Sequence, residues 1–156
     1  MALLILKHIT TILHILFAAA WFGMGLRLAA QARTALAQPR EAGVALAADG
    51  ARTVRFMSIF ALLTAVFAYA TLGLGGPASY GLSFHLSSGL ILVLLAVQYA
   101  LIRPGWARLQ TAVERGEGGE AARKRVAMGV GIGHLLWITI LVLMFWPRLA
   151  AAFAAA

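Results

Sequence analysis

The sequence predicts an all-α integral membrane protein whose chain crosses the bilayer four times as an up-down-up-down four-helix bundle. The 156 residues are 62% hydrophobic and only 12% charged, and their mean hydropathy is +0.89. A soluble domain of this size has too little interior to hide so much apolar surface. The apolar residues also form long runs, and the basic residues lie mainly between those runs.

Each predicted membrane span is an apolar run of about 20 residues or more, the length that crosses about 30 Å of hydrocarbon as a helix. The four runs cover residues 3–30, 55–76, 82–103 and 126–147. The first run starts close to Met1, but it contains two histidines and is too long for a secretory signal peptide. We therefore expect it to remain as the first helix of a single transmembrane domain over residues 1–156.

The connectors between these runs differ in polarity. Residues 33–54 and residues 104–125 are polar and contain proline and glycine, which predicts loops with amphipathic helical extensions at the membrane surface. Residues 73–81 carry no charge and are rich in glycine. This middle connector therefore predicts a short hairpin between antiparallel neighbours.

The distribution of basic residues predicts the orientation of the chain. All but two of the 13 lysines and arginines border or occupy the two polar connectors, and such residues concentrate in short cytoplasmic loops. We therefore expect a multi-pass protein of the bacterial inner membrane with both termini on the periplasmic side.

The lipid bilayer is the expected partner; other membrane subunits, a second copy of the chain, and a quinone or redox partner are further candidates. The net charge of +8 then needs no nucleic acid to explain it.

Similar segments recur along the chain at nearly constant spacing, which is typical of a tandem repeat of a two-helix hairpin. The alternative is chance similarity among apolar helices. The paired segments are His8–Thr11 with His85–Ser88 in the first arm, and Ala51–Ile59 with Ala122–Val130 in the second.

The predicted spans contain four histidines and no acidic residue. This argues against a proton or cation carrier, which needs carboxylates at depth. An imidazole in hydrocarbon must face the bundle interior, where it binds a cofactor or forms a hydrogen bond to a neighbouring helix. The absence of cysteine excludes thiolate ligands. The histidines are His8, His14, His85 and His134.

Two pairs of histidines are candidates for the axial ligands of a b-type haem. The first and third helices are diagonal in such a bundle and run in the same direction, so we expect His8 and His85 to face each other across the core. His14 is the other candidate partner for His85, and we favour it, because it lies deeper and has Trp21 two turns further along nearly the same face. His134 lies at mid-depth and is a candidate ligand of a second cofactor. Copper is the alternative to haem.

Two short motifs resemble the CopD/HemJ group of bacterial membrane proteins. His14 followed by Trp21 is similar to the pattern in the first helix of that group, and Phe84-His85 is similar to the start of its third helix. The resemblance implies that His14 and His85 bind b-type haem, for electron transfer or porphyrin oxidation. Copper handling of the CopD kind, and a cofactor-free accessory subunit, are the alternatives. Ser87 stands where the porphyrin-oxidising members have lysine.

Overall fold

The computed structural model describes residues 1–155, which form an all-α four-helix bundle with no strand. This confirms the predicted fold class. The third rod of the bundle is a composite, because α3 continues through a π-helical turn into α4. The elements are α1 (Ala2–Ala37), α2 (Arg40–Gly75), a 3-10 turn (Pro77–Ser79), α3 (Leu82–Val97), the π-helical turn (Gln98–Ile102), α4 (Arg103–Arg115) and α5 (Glu120–Ala154).

The helices are longer than the apolar runs that predicted them. α1 has 36 residues, which corresponds to about 54 Å of helix, whereas the hydrocarbon core is about 30 Å thick. Most of both polar connectors is therefore helical, and the breaks are confined to Gln38–Pro39 and Gly116–Gly119. The predicted helical extensions are therefore present, whereas the polar loops are shorter than expected. The extensions continue the rods because small and apolar residues remain buried along them at helical spacing, among them Ala32, Ala35, Leu109 and Val113.

The order of packing is that of an up-down-up-down bundle. α1 packs against α2 and α5, and α3 packs against α5 and α2, so α1 and α3 lie on a diagonal. We call the end with Gln38–Pro39 and Gly116–Gly119 the basic end, and the end with the N-terminus and the 3-10 turn the terminal end. The main core extends from the middle of the bundle to the basic end and includes Trp21, Leu28, Met57, Trp106 and Leu109.

The outer surface of the bundle is covered by large apolar side chains. All four rods are long and apolar enough to cross a membrane. The outward-facing side chains need an apolar solvent, since monomeric soluble proteins rarely expose large contiguous apolar patches. The bundle is therefore compatible with a multi-pass membrane protein. The exposed residues include Leu3, Ile12, Leu16, Leu62, Val66, Leu86, Leu92 and Leu135.

Burial relates the first and third rods more closely than it relates the second and fourth. Thr10, His14, Trp21, Gly25 and Leu28 are buried, and the residues at one constant spacing from them, Ser87, Ile91, Gln98, Ile102 and Gly105, are buried too. In the second arm, Met57 is completely buried whereas Met128 is 53% exposed. These two methionines lie on different faces, so their sequence pairing is not a structural one.

Candidate functional site

A cavity of about 600 Å³ lies in the terminal half of the bundle between α1, α3 and α5. Its volume falls within the range of small-molecule and cofactor sites in proteins, about 300–1,000 Å³. The lining is predominantly apolar, with one basic side chain at the terminal end. It comprises Thr11, His14, Ile15, Ala18, Ala19, Thr64, Phe84, Ile91, Leu94, Trp137, Ile140, Leu141, Met144, Phe145, Pro147 and Arg148.

Among the four histidines, His14 alone lines this cavity. The residue is 6% exposed, and its Nδ1 atom lies 2.9 Å from the backbone carbonyl oxygen of Thr64 on α2. A carbonyl oxygen can only accept a hydrogen bond, so in the neutral imidazole Nδ1 carries the proton and Nε2 carries the lone pair. Metal-binding histidines are commonly oriented by such a bond from the other ring nitrogen. The Nε2 atom of His14 is therefore the candidate ligand atom.

Two further side chains in the lining have functional chemistry. Arg148 is the only arginine or lysine that lines the cavity, and its guanidinium carbon lies 5.9 Å from the centre of the Phe145 ring. Met144 contributes a thioether sulfur, which is a known axial ligand of haem iron. The cavity thus combines an imidazole, a thioether and a cation within apolar walls.

A buried polar network lies on the side of His14 that faces the basic end. Trp21 Nε1 donates to Gln98 Oε1 at 3.0 Å, and Gln98 Nε2 donates to Ser58 Oγ at 3.0 Å. Gln98 is completely buried and is the first residue of the π-helical turn. The network joins α1, the third rod and α2 across the bundle axis. The predicted site residue Trp21 therefore links α1 to the third rod and does not line the cavity.

Sequence reasoning missed Gln98. The available signal was an amide side chain inside the apolar run 82–103, because polar residues within membrane spans face the bundle interior and bond to neighbouring helices. The prediction considered only the histidines among the polar residues of the spans, and so it did not include Gln98.

His8 and His85 are exposed near the terminal end of the bundle, and neither lines the cavity. The predicted juxtaposition of the two rings across the core is therefore wrong. The reason is rotation about the helix axes. The inward face of α1 contains Thr10 and His14, and the inward face of α3 contains Ser87. His8 and His85 each precede a buried residue by two positions, which is more than half a turn away.

His134 is half-buried among aromatic rings and lies outside the cavity lining. Its ring centre is 4.6 Å from that of Phe22 and 6.0 Å from that of Trp21. Its Nε2 atom is buried without a hydrogen-bond partner in the described residues. Gly25 leaves room for this ring, since a Cβ atom at that position would lie 2.7 Å from the Nε2 atom.

Within residues 1–155, no three histidine, cysteine, aspartate or glutamate side chains form a cluster that could hold a metal ion. The structure therefore offers no carboxylate and imidazole cage as an alternative to the cavity beside His14.

No protein-family model, curated protein or solved structure matches this chain. The resemblance to the CopD/HemJ group stays a prediction.

Proposed function

We propose that this protein binds b-type haem in the cavity between α1, α3 and α5, where His14 would hold the iron, and that it transfers electrons within the membrane. The observation that carries the proposal is the bond from His14 Nδ1 to the carbonyl oxygen of Thr64, in a ring that lines an apolar cavity of about 600 Å³. This arrangement leaves a fixed Nε2 lone pair for a metal.

The other residues of the cavity fit this cofactor. Apolar side chains suit the porphyrin ring, and Ala18 and Ala19 leave space beside α1. Arg148 supplies a cation for a propionate group. The Met144 thioether would be the candidate for a second iron ligand, because His85 lies outside the lining. When bound, the haem supplies a one-electron redox centre.

The chain contributes orientation and exclusion of water. Thr64 is 4% exposed, and its hydroxyl donates to the Phe60 carbonyl oxygen at 2.7 Å, so the α2 segment that holds His14 is regular and buried. The Trp21–Gln98 pair closes the bundle toward the basic end. An apolar shell of this kind tunes the reduction potential of a metal centre. In the predicted orientation the cavity lies in the periplasmic half of the membrane. Porphyrin oxidation is the alternative activity for a haem bound in this cavity.

Visible spectroscopy of the purified protein tests the proposal. We expect a Soret band and sharp α and β bands on reduction, and loss of these bands in His14→Gly. Added imidazole should restore them in that variant, because a free ligand can enter the space left by the side chain. His8→Ala and His85→Ala are the matched controls, since both residues are exposed, and both variants should keep the parent spectrum.

Two results would contradict the proposal. One is a colourless parent protein that takes up no haem when haem is added during purification. The other is an unchanged spectrum in His14→Gly without imidazole. In either case the His14–Thr64 bond acts only in holding α1 against α2.

A further inference from the structure

A second cavity, of about 350 Å³, lies toward the basic end between α2 and α4. We call it the arginine pocket, because Arg55 on α2 and Arg103 on α4 both contribute to its lining. It is formed by Ala51, Val54, Arg55, Ser58, Ile59, Tyr99, Arg103, Trp106, Ala107 and Gln110.

The arginine pocket is positively charged. No acidic side chain lines it, and within residues 1–155 the single ion pair joins Arg123 to Glu120, elsewhere on the surface. The carboxylate linked to the lining is that of Glu114, which accepts a hydrogen bond from Gln110 Nε2 at 2.9 Å. Two guanidinium groups therefore share one cavity with no anionic partner in its walls.

The walls of the arginine pocket are fixed by buried contacts. Trp106 is 1% exposed, and its Nε1 atom donates to the Ala47 carbonyl oxygen at 3.0 Å. The Tyr99 hydroxyl donates to the Ser58 carbonyl oxygen at 3.2 Å. The guanidinium carbon of Arg103 lies 5.8 Å from the centre of the Tyr99 ring. The pocket is thus held open by the packing of α2 against the third rod, before any ligand enters.

An apolar stripe continues from the arginine pocket toward the terminal end. Ile59 lines the pocket and is 44% exposed, and Leu62 and Val66 follow it along α2 at 49% and 51% exposure. Spacings of three and four residues place these side chains on one face of the helix. The pocket with its two cations is therefore followed, on the same helix, by an exposed apolar face.

We propose that the arginine pocket binds the phosphate of an anionic phospholipid, with an acyl chain along Ile59, Leu62 and Val66. Guanidinium groups bind phosphate oxygens in a bidentate manner, and basic pockets between transmembrane helices recognise anionic lipid head groups. A free phosphate ion would share the recognition by Arg55 and Arg103, but it would make no use of the apolar stripe. This site is independent of the haem proposal and lies at the other end of the bundle.

Native mass spectrometry of the detergent-purified protein tests the proposal, with phosphatidylglycerol, phosphatidylcholine and inorganic phosphate as separate probes. Of these three probes, we expect only phosphatidylglycerol to bind tightly. The double variant Arg55→Gln/Arg103→Gln should lose about thirtyfold in affinity, since each basic group near an anionic head group contributes about one kcal/mol. Arg52→Gln/Arg108→Gln is the matched control, because it removes two exposed arginines of the same helices that do not line the pocket.

Three outcomes would overturn the lipid proposal. The first is equal binding of phosphatidylcholine, which would show that the net charge of the lipid head group does not determine binding. The second is binding of inorganic phosphate as tightly as phosphatidylglycerol, which assigns the pocket to a soluble anion. The third is an equal loss in the control variant, which shows that only the total charge matters. Arg55→Lys/Arg103→Lys keeps the charge and should retain part of the affinity, which separates loss of recognition from loss of folding.

Discussion

Gln98 shows how one polar residue organises the centre of this bundle. Its side chain is completely buried, accepts a hydrogen bond from Trp21 and donates to Ser58. Gln98 lies in the third rod, which is diagonal to α1, so its hydrogen bond with Trp21 crosses the core of the bundle. A buried amide of this kind specifies which faces of the helices meet, whereas apolar contacts between similar helices tolerate rotation.

We therefore expect Gln98→Leu to destabilise the protein by about 1–3 kcal/mol, because the buried N–H of Trp21 would lose its acceptor. Thermal unfolding in detergent, followed by tryptophan fluorescence, measures this effect. Gln38→Leu is the control, since Gln38 is exposed between α1 and α2, and its midpoint should stay close to that of the parent. Equal midpoints for Gln98→Leu and the parent would show that the network contributes nothing to stability.

The sequence predicted His14 as a site residue, and the structure places it in the cavity lining. It could not show that His8 and His85 face outward. In a soluble helix the polar face marks the side exposed to solvent, but in α1 most residues on both the inward and the outward face are apolar. The inward positions are set by contacts such as Thr71 Oγ1 to Thr10 Oγ1 at 2.9 Å, which depend on the partner helix and not on local pattern.

At the scale of helices, the contact between α2 and α4 depends on a glycine opposite a tryptophan. A Cβ atom at Gly50 would overlap the Trp106 ring, whose Nε1 atom donates to Ala47 one turn away. This close approach lets the ring lie against the α2 backbone and form a wall of the arginine pocket. The two helices therefore continue to pack beyond the apolar runs that predicted the spans.

We expect Gly50→Ala to lower the free energy of unfolding by about 1–3 kcal/mol, the usual cost of overfilling a packed site. It should also weaken phosphatidylglycerol binding, because the Trp106 wall would have to move. Gly131→Ala in α5 is the matched control, since a Cβ atom there meets nothing within 4 Å. Alanine favours a helix over glycine by about one kcal/mol, so the control should be as stable as the parent or more stable. A Gly50→Ala variant as stable as the control would contradict the packing argument.

The helical character of the polar connectors was only partly predictable. Proline and glycine in residues 33–54 and 104–125 indicated loops, and breaks do occur at Gln38–Pro39 and Gly116–Gly119. Pro104 does not break the third rod, because it follows the wider π-helical turn, and the Ala100 carbonyl oxygen four residues before it accepts a hydrogen bond from Arg125 Nη2 at 2.7 Å instead. The buried stripe of Trp106, Leu109 and Val113 was the signal for continued helix.

At the scale of the whole molecule, the charge distribution sets the two ends of the bundle apart. Basic residues border or occupy the breaks and extensions at the basic end, whereas the hairpin at the terminal end is uncharged. The length and composition of the helices do not set the direction in which they would cross a membrane. We therefore predict the orientation from these charges, because basic residues favour retention of the basic end in the cytoplasm.

Cysteine labelling measures this orientation cleanly, because the natural chain contains no cysteine. Ala78→Cys places a thiol in the terminal hairpin, and Gly118→Cys places one in the break between α4 and α5, both at exposed positions. We expect a membrane-impermeant maleimide to label Ala78→Cys from the periplasmic side, and to label Gly118→Cys only after the inner membrane is permeabilised. Labelling of both thiols from the same side would refute a bundle that spans the bilayer. The reverse pattern would keep the four spans, and it would place the arginine pocket in the outer leaflet and the His14 cavity in the cytoplasmic half.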